Sequence, residues 1–385
     1  MCEVIVVRCC AQYFIDFLTI LDGCNMNVIR SFNPSLAPFM KQLPRFLYGS
    51  KLIVRSRECQ EVIDRLDLRK KYPDSQNLDI IDVFTGYGLL SSMINYELKP
   101  RKHVVIEAGK ANIEEWTKRI NHLKETTNNK ENFILYPHDG FNWATYNRLI
   151  DQDKIVTPRT VDRSKIHDEL LIIGNLTSSS FGESLLAQWI MCSVYRNWLQ
   201  KYGRVRMICV IPEGTAHKFL SGRGFPKRNR SAIKREMFTD TKLIAITQIL
   251  EVSSSPEGFK YDPNTLFNDQ PYCISSKAIL PPGTTLSVIE IEPKDLGLFD
   301  VDLLEYVLQI LMYKATGRVI DSLAQIAPGA EVELAPKLSP ELLEKCPRDL
   351  TTDEFMSIFE VVDNWAFKPS IADRIDIVQE DTRTF

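Results

Sequence analysis

The 385-residue chain has no run of about 18 apolar residues free of charge, which excludes a conventional transmembrane helix. Its nine cysteines include no CxxC pair, and four of them (Cys2, Cys9, Cys10 and Cys24) crowd one end. Neither a disulfide framework nor a zinc knuckle follows, and a reducing compartment fits. His103, His122, His138, His167 and His217 stand at no ligand spacing, so no metal site is expected. Residues 23–57 lack Asp and Glu but hold Arg30, Lys41, Arg45, Lys51, Arg55 and Arg57. That stretch reads either as a mitochondrial import segment or as a basic run arising by chance. Residues 1–24 have no clean apolar segment and no small-residue cleavage site, so they are not a secretory signal; translation is expected to begin at Met26.

What is present is ordinary globular material, 44% hydrophobic and 25% charged, with length for two domains. The net charge of −3 conceals an asymmetry. Residues 294–385 carry 18 acidic and 9 basic side chains, whereas residues 1–293 carry 38 basic and 32 acidic. A basic body therefore suits a polyanion, and an acidic end suits a different partner.

Seven nearly continuous apolar runs predict strands covered on both faces: residues 78–84, 103–108, 132–137, 170–176, 205–211, 241–252 and 284–293. Helical spacing at 111–126 and 182–203, the second closed by Gly203, alternates with them and implies a largely parallel, doubly wound α/β sheet. Beyond residue 293 the pattern turns to helices at 300–315, 318–326, 339–346 and 351–365, the last opened by a Thr351/Glu354 capping box. The expected division is residues 1–25 as an extension, 26–293 as the sheet domain, 294–373 as a small helical domain and 374–385 as a mobile tail.

The first strand runs into Asp82-Val-Phe-Thr-Gly86-Tyr-Gly88, a turn whose glycines let backbone N–H groups approach a ligand at the strand's carboxyl end. Glu107, at the end of the second strand, is placed to accept ribose hydroxyls; Asp139, at the third, could meet an adenine amino group. Glycines, Glu and Asp at successive strand ends resemble the S-adenosyl-methionine site of a class I methyltransferase. The fourth strand ends Asn175-Leu-Thr-Ser178, where adenine and ribosomal RNA dimethyltransferases present Asn-(Leu/Ile)-Pro-(Tyr/Phe). The asparagine remains, but the proline and the stacking ring that base chemistry requires do not. Gly49-Ser-Lys-Leu-Ile53 stands at the family's cofactor-covering segment, with Ile53 supplying the apolar contact, and Phe84 replaces the first glycine of the turn.

On these motifs, together with Phe46 to Gly49, Asp139-Gly-Phe-Asn-Trp143, Gln188-Trp189, Asn197-Trp-Leu199, the block 238–245, Lys345-Cys-Pro, Asp349-Leu-Thr and Phe367-Lys-Pro369, the chain resembles the mitochondrial transcription factor B branch of the ribosomal RNA adenine dimethyltransferase family. The resemblance runs from about Phe39 onward. It implies a seven-stranded Rossmann-like methyltransferase fold with a C-terminal helical domain, located in the mitochondrial matrix. It further implies docking on the core subunit of the single-subunit mitochondrial RNA polymerase and opening of promoter DNA, with no membrane partner. Ile53, Gly86, Gly88, Glu107, Asp139 and Asn175 would be the family-equivalent cofactor residues. None is expected to be catalytic, and S-adenosyl-methionine is an optional ligand rather than a requirement. The alternatives are a working mitochondrial ribosomal RNA adenine dimethyltransferase, or a methyltransferase acting on another substrate.

Two features supply the nucleic-acid reading. Phe141 and Trp143 follow Asp139 at the rim that would receive a flipped base, and unpaired bases could stack on them, although one or both rings could instead be core. Residues 214–235 hold seven cations and no acid: Lys218, Arg223, Lys227, Arg228, Arg230, Lys234 and Arg235. Gly222, Gly224 and Pro226 make its middle a loop, and the cations are expected to meet phosphates, with Lys118, Arg119, Arg204 and Arg206 extending the basic face.

Overall fold

The computed structural model describes residues 29–40, 49–247, 260–372 and 374. The expectations for the 1–25 extension, the Met26 start, Phe46 to Tyr48 and the tail beyond Arg374 lie outside the described residues.

The seven expected strands form one sheet: β1 (Asp79–Val83), β2 (Lys102–Ile106), β3 (Phe133–Tyr136), β4 (Ile166–Asn175), β5 (Arg204–Pro212), β6 (Thr239–Thr247) and β7 (Leu286–Pro293). Their spatial order is β3-β2-β1-β4-β5-β7-β6, with a short extra strand, Tyr272–Ile274, outside β6. β1 to β5 run parallel, and β7 inserts antiparallel between β5 and β6. Burial explains the sequence pattern: all five residues of β1 are buried, as are seven consecutive positions of β5. Chain order reverses between β1 and β4, so their carboxyl ends form the crevice where such sheets take ligands.

Eight longer helices matter below: α1 (Ser56–Leu66), α2 (Leu89–Leu98), α3 (Lys110–Thr127), α4 (Gly182–Tyr195), α5 (Glu213–Phe219), α6 (Arg230–Phe238), α7 (Val301–Tyr313) and α8 (Thr352–Asp363). α4 ends earlier than its spacing suggests. Arg196 turns left-handed at φ 52°, and a 3-10 turn at Trp198–Tyr202 follows before Gly203. The break lets Trp198 stack on Trp189 at 4.9 Å and meet Tyr146 edge-on at 5.1 Å.

The helices after residue 293 do not form a separate core. Leu303, Leu311, Phe355 and Trp365 belong to the same buried cluster as Ile81, Ile172 and Trp189 of the sheet layer. Arg374, expected in the tail, is 8% exposed and its Nη1 bonds Asp300 at 2.9 Å, so it belongs to the folded unit. The capping box forms: the Thr351 hydroxyl accepts from Glu354 N–H and the Glu354 carboxylate accepts from Thr351 N–H. Thr351→Ala removes one half of that exchange and is expected to cost about 1 kcal/mol, read as a lowered denaturant midpoint at an unchanged slope.

Upstream of α1, residues 29–40 are seated against the sheet domain. Ser31 N–H donates to Gln60 at 2.9 Å, Asn33 donates to Glu131 at 3.2 Å, and Leu36 packs in a cluster with Trp116. The acid-poor stretch noted in the sequence therefore includes integral pieces of the fold.

Candidate nucleic-acid interface and a closed cofactor cleft

The glycine turn adopts the conformation its composition requires, with Gly86 at φ 56° and Gly88 at φ 69°. Phe84 also takes a positive φ, 59°, unusual for a bulky residue. What fills the turn is protein. A Cβ on Gly88 would lie 2.4 Å from the Trp116 ring, and one on Gly86 would lie 2.8 Å from Leu52 Cδ2. Trp116 is fully buried on α3 and donates its indole N–H to Thr85 Oγ1 at 2.8 Å. Leu52 and Ile53 are held over the turn by an antiparallel ribbon with Ile279 and Leu280.

Glu107 stands at the end of β2 as expected, but its carboxylate is already engaged. Oε1 accepts from Gly86 N–H at 2.7 Å and from the Thr85 hydroxyl at 3.0 Å; Oε2 accepts from Asn112 at 3.1 Å. Burial raises its pKa, and the Gly86, Asn112 and Thr85 donors oppose that rise. Asp139 is exposed at the end of the β3 loop and spends one oxygen on Phe141 N–H at 2.9 Å.

Asn175 is likewise turned inward. Its Nδ2 donates to the Lys51 carbonyl at 3.0 Å, and its Oδ1 accepts from the Thr177 hydroxyl at 2.6 Å. That hydroxyl accepts from Lys51 N–H at 2.7 Å, so Thr177, the replacement for proline, ties the covering segment to the β4 lip. Lys51 Nζ donates to the Thr285 carbonyl at 2.7 Å, and burial lowers its pKa while Glu213 opposes the change.

The crevice bounded by Lys51, Ile53, Asp82, Tyr87, Gly88 and Asn175 encloses about 30 Å³. That is room for roughly one water, whereas pockets for ligands of cofactor size span about 300–1,000 Å³. Small volume and occupied hydrogen bonds agree at the turn: Gly86, Gly88, Glu107 and Asn175, as placed in this conformation, leave little room for S-adenosyl-methionine, whereas Asp139 stays exposed outside the crevice.

The rim is different. Phe141 and Trp143 are 39% and 40% exposed, so neither ring is core. Asn142 caps the short helix that begins at Trp143 by accepting from Ala144 N–H, and the Thr145 and Tyr146 hydroxyls donate to the Asp139 and Gly140 carbonyls at 2.7 Å each. The loop is thus held from below while its rings face outward. Phe181, which sequence reading did not single out, meets Phe141 at 5.8 Å and Phe84 at 5.1 Å between ring centroids. The signal was an aromatic three residues beyond the position where the enzymes carry theirs.

The basic run needs correction in its cations, not in its loop. Its middle, around Gly222, Gly224 and Pro226, is a loop as expected, and its C-terminal part is α6. Arg228 is 4% exposed: Nη1 donates to the carbonyls of Arg348 and Leu350 at 2.8 and 2.6 Å, and Nη2 to Glu236 at 2.7 Å. Lys234 pairs with Glu305 on α7, and Arg235 donates Nε to the Phe219 carbonyl at 3.0 Å. These three cations join elements of the fold and are not disposed toward phosphates. Lys218, half-buried, pairs with Glu183 at the start of α4; Arg223 and Lys227 are exposed and Arg230 is half-buried.

The proposed extension of the basic face also fails for three residues. Arg119 is buried and donates to the Tyr87 carbonyl at 2.6 Å; Arg206 is buried between Glu290 and Glu292 at 3.0 and 2.5 Å. Arg204 spends its guanidinium on the carbonyls of Pro293 and Arg163. Lys118 is exposed and pairs with Glu115 at 2.8 Å. Among the described residues no group of three His, Cys, Asp or Glu could hold a metal ion, and no helix is long and apolar enough to cross a membrane.

Comparison with known proteins gives one family. A profile described as ribosomal RNA adenine dimethylase matches residues 42–360. Mitochondrial transcription factor 1 of Saccharomyces cerevisiae is 32% identical over 345 residues, covering 88% of this chain and 95% of that protein. The protein of the same name from Lachancea kluyveri is 31% identical over 339 residues, covering 87% and 95%. A solved dimethyladenosine transferase from Plasmodium falciparum aligns at 13% identity with a TM-score of 0.47 over 76% of this chain and 94% of its own.

Proposed function

Since the chain belongs to the ribosomal RNA adenine dimethylase family, we propose that it is a member that works in transcription rather than methylation. It would give the single-subunit mitochondrial RNA polymerase promoter-specific initiation and DNA melting, in the mitochondrial matrix. The shared name of the relatives, Mitochondrial transcription factor 1, supports the mitochondrial and transcriptional parts of this reading. The observation that carries the rest is the state of Asn175: the amide that dimethyltransferases aim at a target amino group is bonded here to Lys51 and Thr177.

With the reactive groups turned inward, the chemistry left at the rim is non-covalent. Phe141 and Trp143 offer faces on which unpaired bases stack at about 1–3 kcal/mol each. That is comparable to the mean of roughly 1.4 kcal/mol for one DNA base-pair step, so two rings can offset the opening of a short bubble. Arg223, Lys227 and Arg230 are the members of the basic run that could meet phosphates, which position the strand without reading its sequence. The acidic helices after residue 293 would face the polymerase, since they repel DNA. No cofactor is required.

The test adds the full chain to the polymerase and a linear promoter duplex, and maps transcript start sites. Start-site-specific transcripts that depend on the chain support the proposal. Unchanged initiation, with methyl groups transferred from S-adenosyl-methionine to ribosomal RNA adenines, would establish the enzymatic alternative instead.

A further inference from the structure

We propose that Phe84 and Phe181 are positioning residues for nucleic-acid contact: the ring that blocks the glycine turn is also the floor beneath the exposed loop of Phe141 and Trp143. This inference rests on the functional reading above and deepens it.

Phe84 occupies a position where a glycine would be free of strain, at φ 59°, and a bulky side chain persists in that region only when its surroundings over-determine it. Those surroundings include the loop, along with the Ile106 carbonyl that accepts from Phe84 N–H at 3.0 Å. A Cβ on Gly140 would lie 2.3 Å from Val83 Cγ1 and 3.3 Å from Phe84 Cζ, so the loop descends onto the end of β1 at a residue whose lack of a side chain the Val83 contact requires, with the Phe84 ring packed beside it. The Phe84 ring then meets Phe181 at 5.1 Å and 48°, and Phe181 meets Phe141 at 5.8 Å and 58°. Three rings thus form a continuous chain from the closed cleft to the solvent-facing platform.

Phe181 reaches this place through a tight turn. Gly182 N–H donates to the Ser178 carbonyl at 2.9 Å, and a Cβ on Gly182 would sit 2.0 Å from the Leu176 carbonyl oxygen, so the chain folds sharply before α4. The aromatic face absent at Ser178 is returned from position 181, as backing for another ring. Phe84 and Phe181 are both half-buried and pack on the main core cluster, whereas Phe141 is exposed beside them. Removing Phe84 leaves Phe181 a void to fall into, and Phe141 loses the neighbour that holds it ready for a base. Preorganisation of this kind lowers the entropy lost on binding.

The experiment measures binding of a fluorescein-labelled single-stranded promoter oligonucleotide to the full chain by anisotropy, for Phe84→Ala, Phe84→Tyr, Phe181→Ala, Phe141→Ala and the double variant Phe84→Ala/Phe141→Ala. Phe84→Ala and Phe181→Ala are each expected to weaken binding about tenfold, the scale of one lost stacking contact, while Phe84→Tyr stays within about twofold of wild type. In the Phe141→Ala background, Phe84→Ala is expected to add less than about twofold, because the two act through one contact. Circular dichroism and urea midpoints verify folding, and Phe84→Leu, which keeps bulk without the ring, serves where Phe84→Ala is too unstable. Full additivity of the two losses, or an unchanged affinity for Phe84→Ala and Phe84→Leu, would overturn the inference and leave the functional reading standing. If Phe141→Ala and Trp143→Ala together leave binding unchanged, the stacking reading itself fails and this inference with it.

Discussion

Phe141→Ala combined with Trp143→Ala is expected to reduce initiation from closed promoter duplex by roughly 30-fold or more, since two stacking contacts at about 1–3 kcal/mol each are lost. On a template already mismatched across the bubble, the same variant is expected to lose less than about threefold, because opening no longer draws on those contacts. Both rings are about 40% exposed, and the loop is held by Asp139, Thr145 and Tyr146 rather than by the rings, so truncation leaves the fold in place. The measurement is run-off transcription with the polymerase on the two templates, with a fluorescent adenine analogue in the non-template strand reporting unpairing. Equal losses on both templates would assign the rings to polymerase contact or folding and remove them from melting.

The second large effect concerns a residue whose charge suggests one role and whose geometry gives another. Arg228→Ala is expected to destabilise the protein by about 3 kcal/mol. Two carbonyls on the approach to α8 lose their donor at once, and Glu236 loses its pair. The figure is set at the lower end for a buried pair because the Glu236 side chain is 32% exposed and water can replace part of the bond. A phosphate-binding arginine behaves differently: its loss leaves the urea midpoint nearly unchanged and lowers the slope of log affinity against log salt by about one. Urea unfolding and a salt titration of DNA binding, made on the same variant, therefore separate the two roles. Arg223→Ala is the counterpart, expected to change the salt slope and leave stability within about 0.5 kcal/mol.

The contrast between these two arginines marks where sequence reasoning succeeds. The sheet was legible because β1 to β5 are covered on both faces, and Asp79–Val83 or Val205–Ile211 can be little else than buried strand. The Tyr272–Ile274 edge strand was not legible, since three residues carry no periodicity. The Thr351 capping box lies within four residues and was readable in full. Arg228, by contrast, finds acceptors 120 and 122 residues further along the chain, and no local pattern announces that encounter. A run of unopposed cations in sequence is not a run of unopposed cations in space: Glu183 and Glu305 come from α4 and α7 to meet Lys218 and Lys234.

The same distinction governs the site. Gly86, Gly88, Glu107, Asp139 and Asn175 could be placed at strand ends because the order of strands and turns dictates it. Their availability could not be read, because it depends on Lys51, Leu52 and Trp116 arriving from other segments to occupy their hydrogen bonds and their space. Phe84 was recognisable as an obstacle in the turn, while its contacts with Gly140 and Phe181 exist only in the folded chain.

Central to this account is a methyltransferase crevice filled by its own chain, whose outer rim serves unpaired nucleotides. Equilibrium dialysis of radiolabelled S-adenosyl-methionine against the full chain tests that most directly. No retention above a protein-free control is expected at cofactor concentrations up to about 1 mM, an affinity limit near 4 kcal/mol. Stoichiometric retention at micromolar concentration, abolished by Glu107→Ala, would mean that the crevice opens to the cofactor and would contradict it.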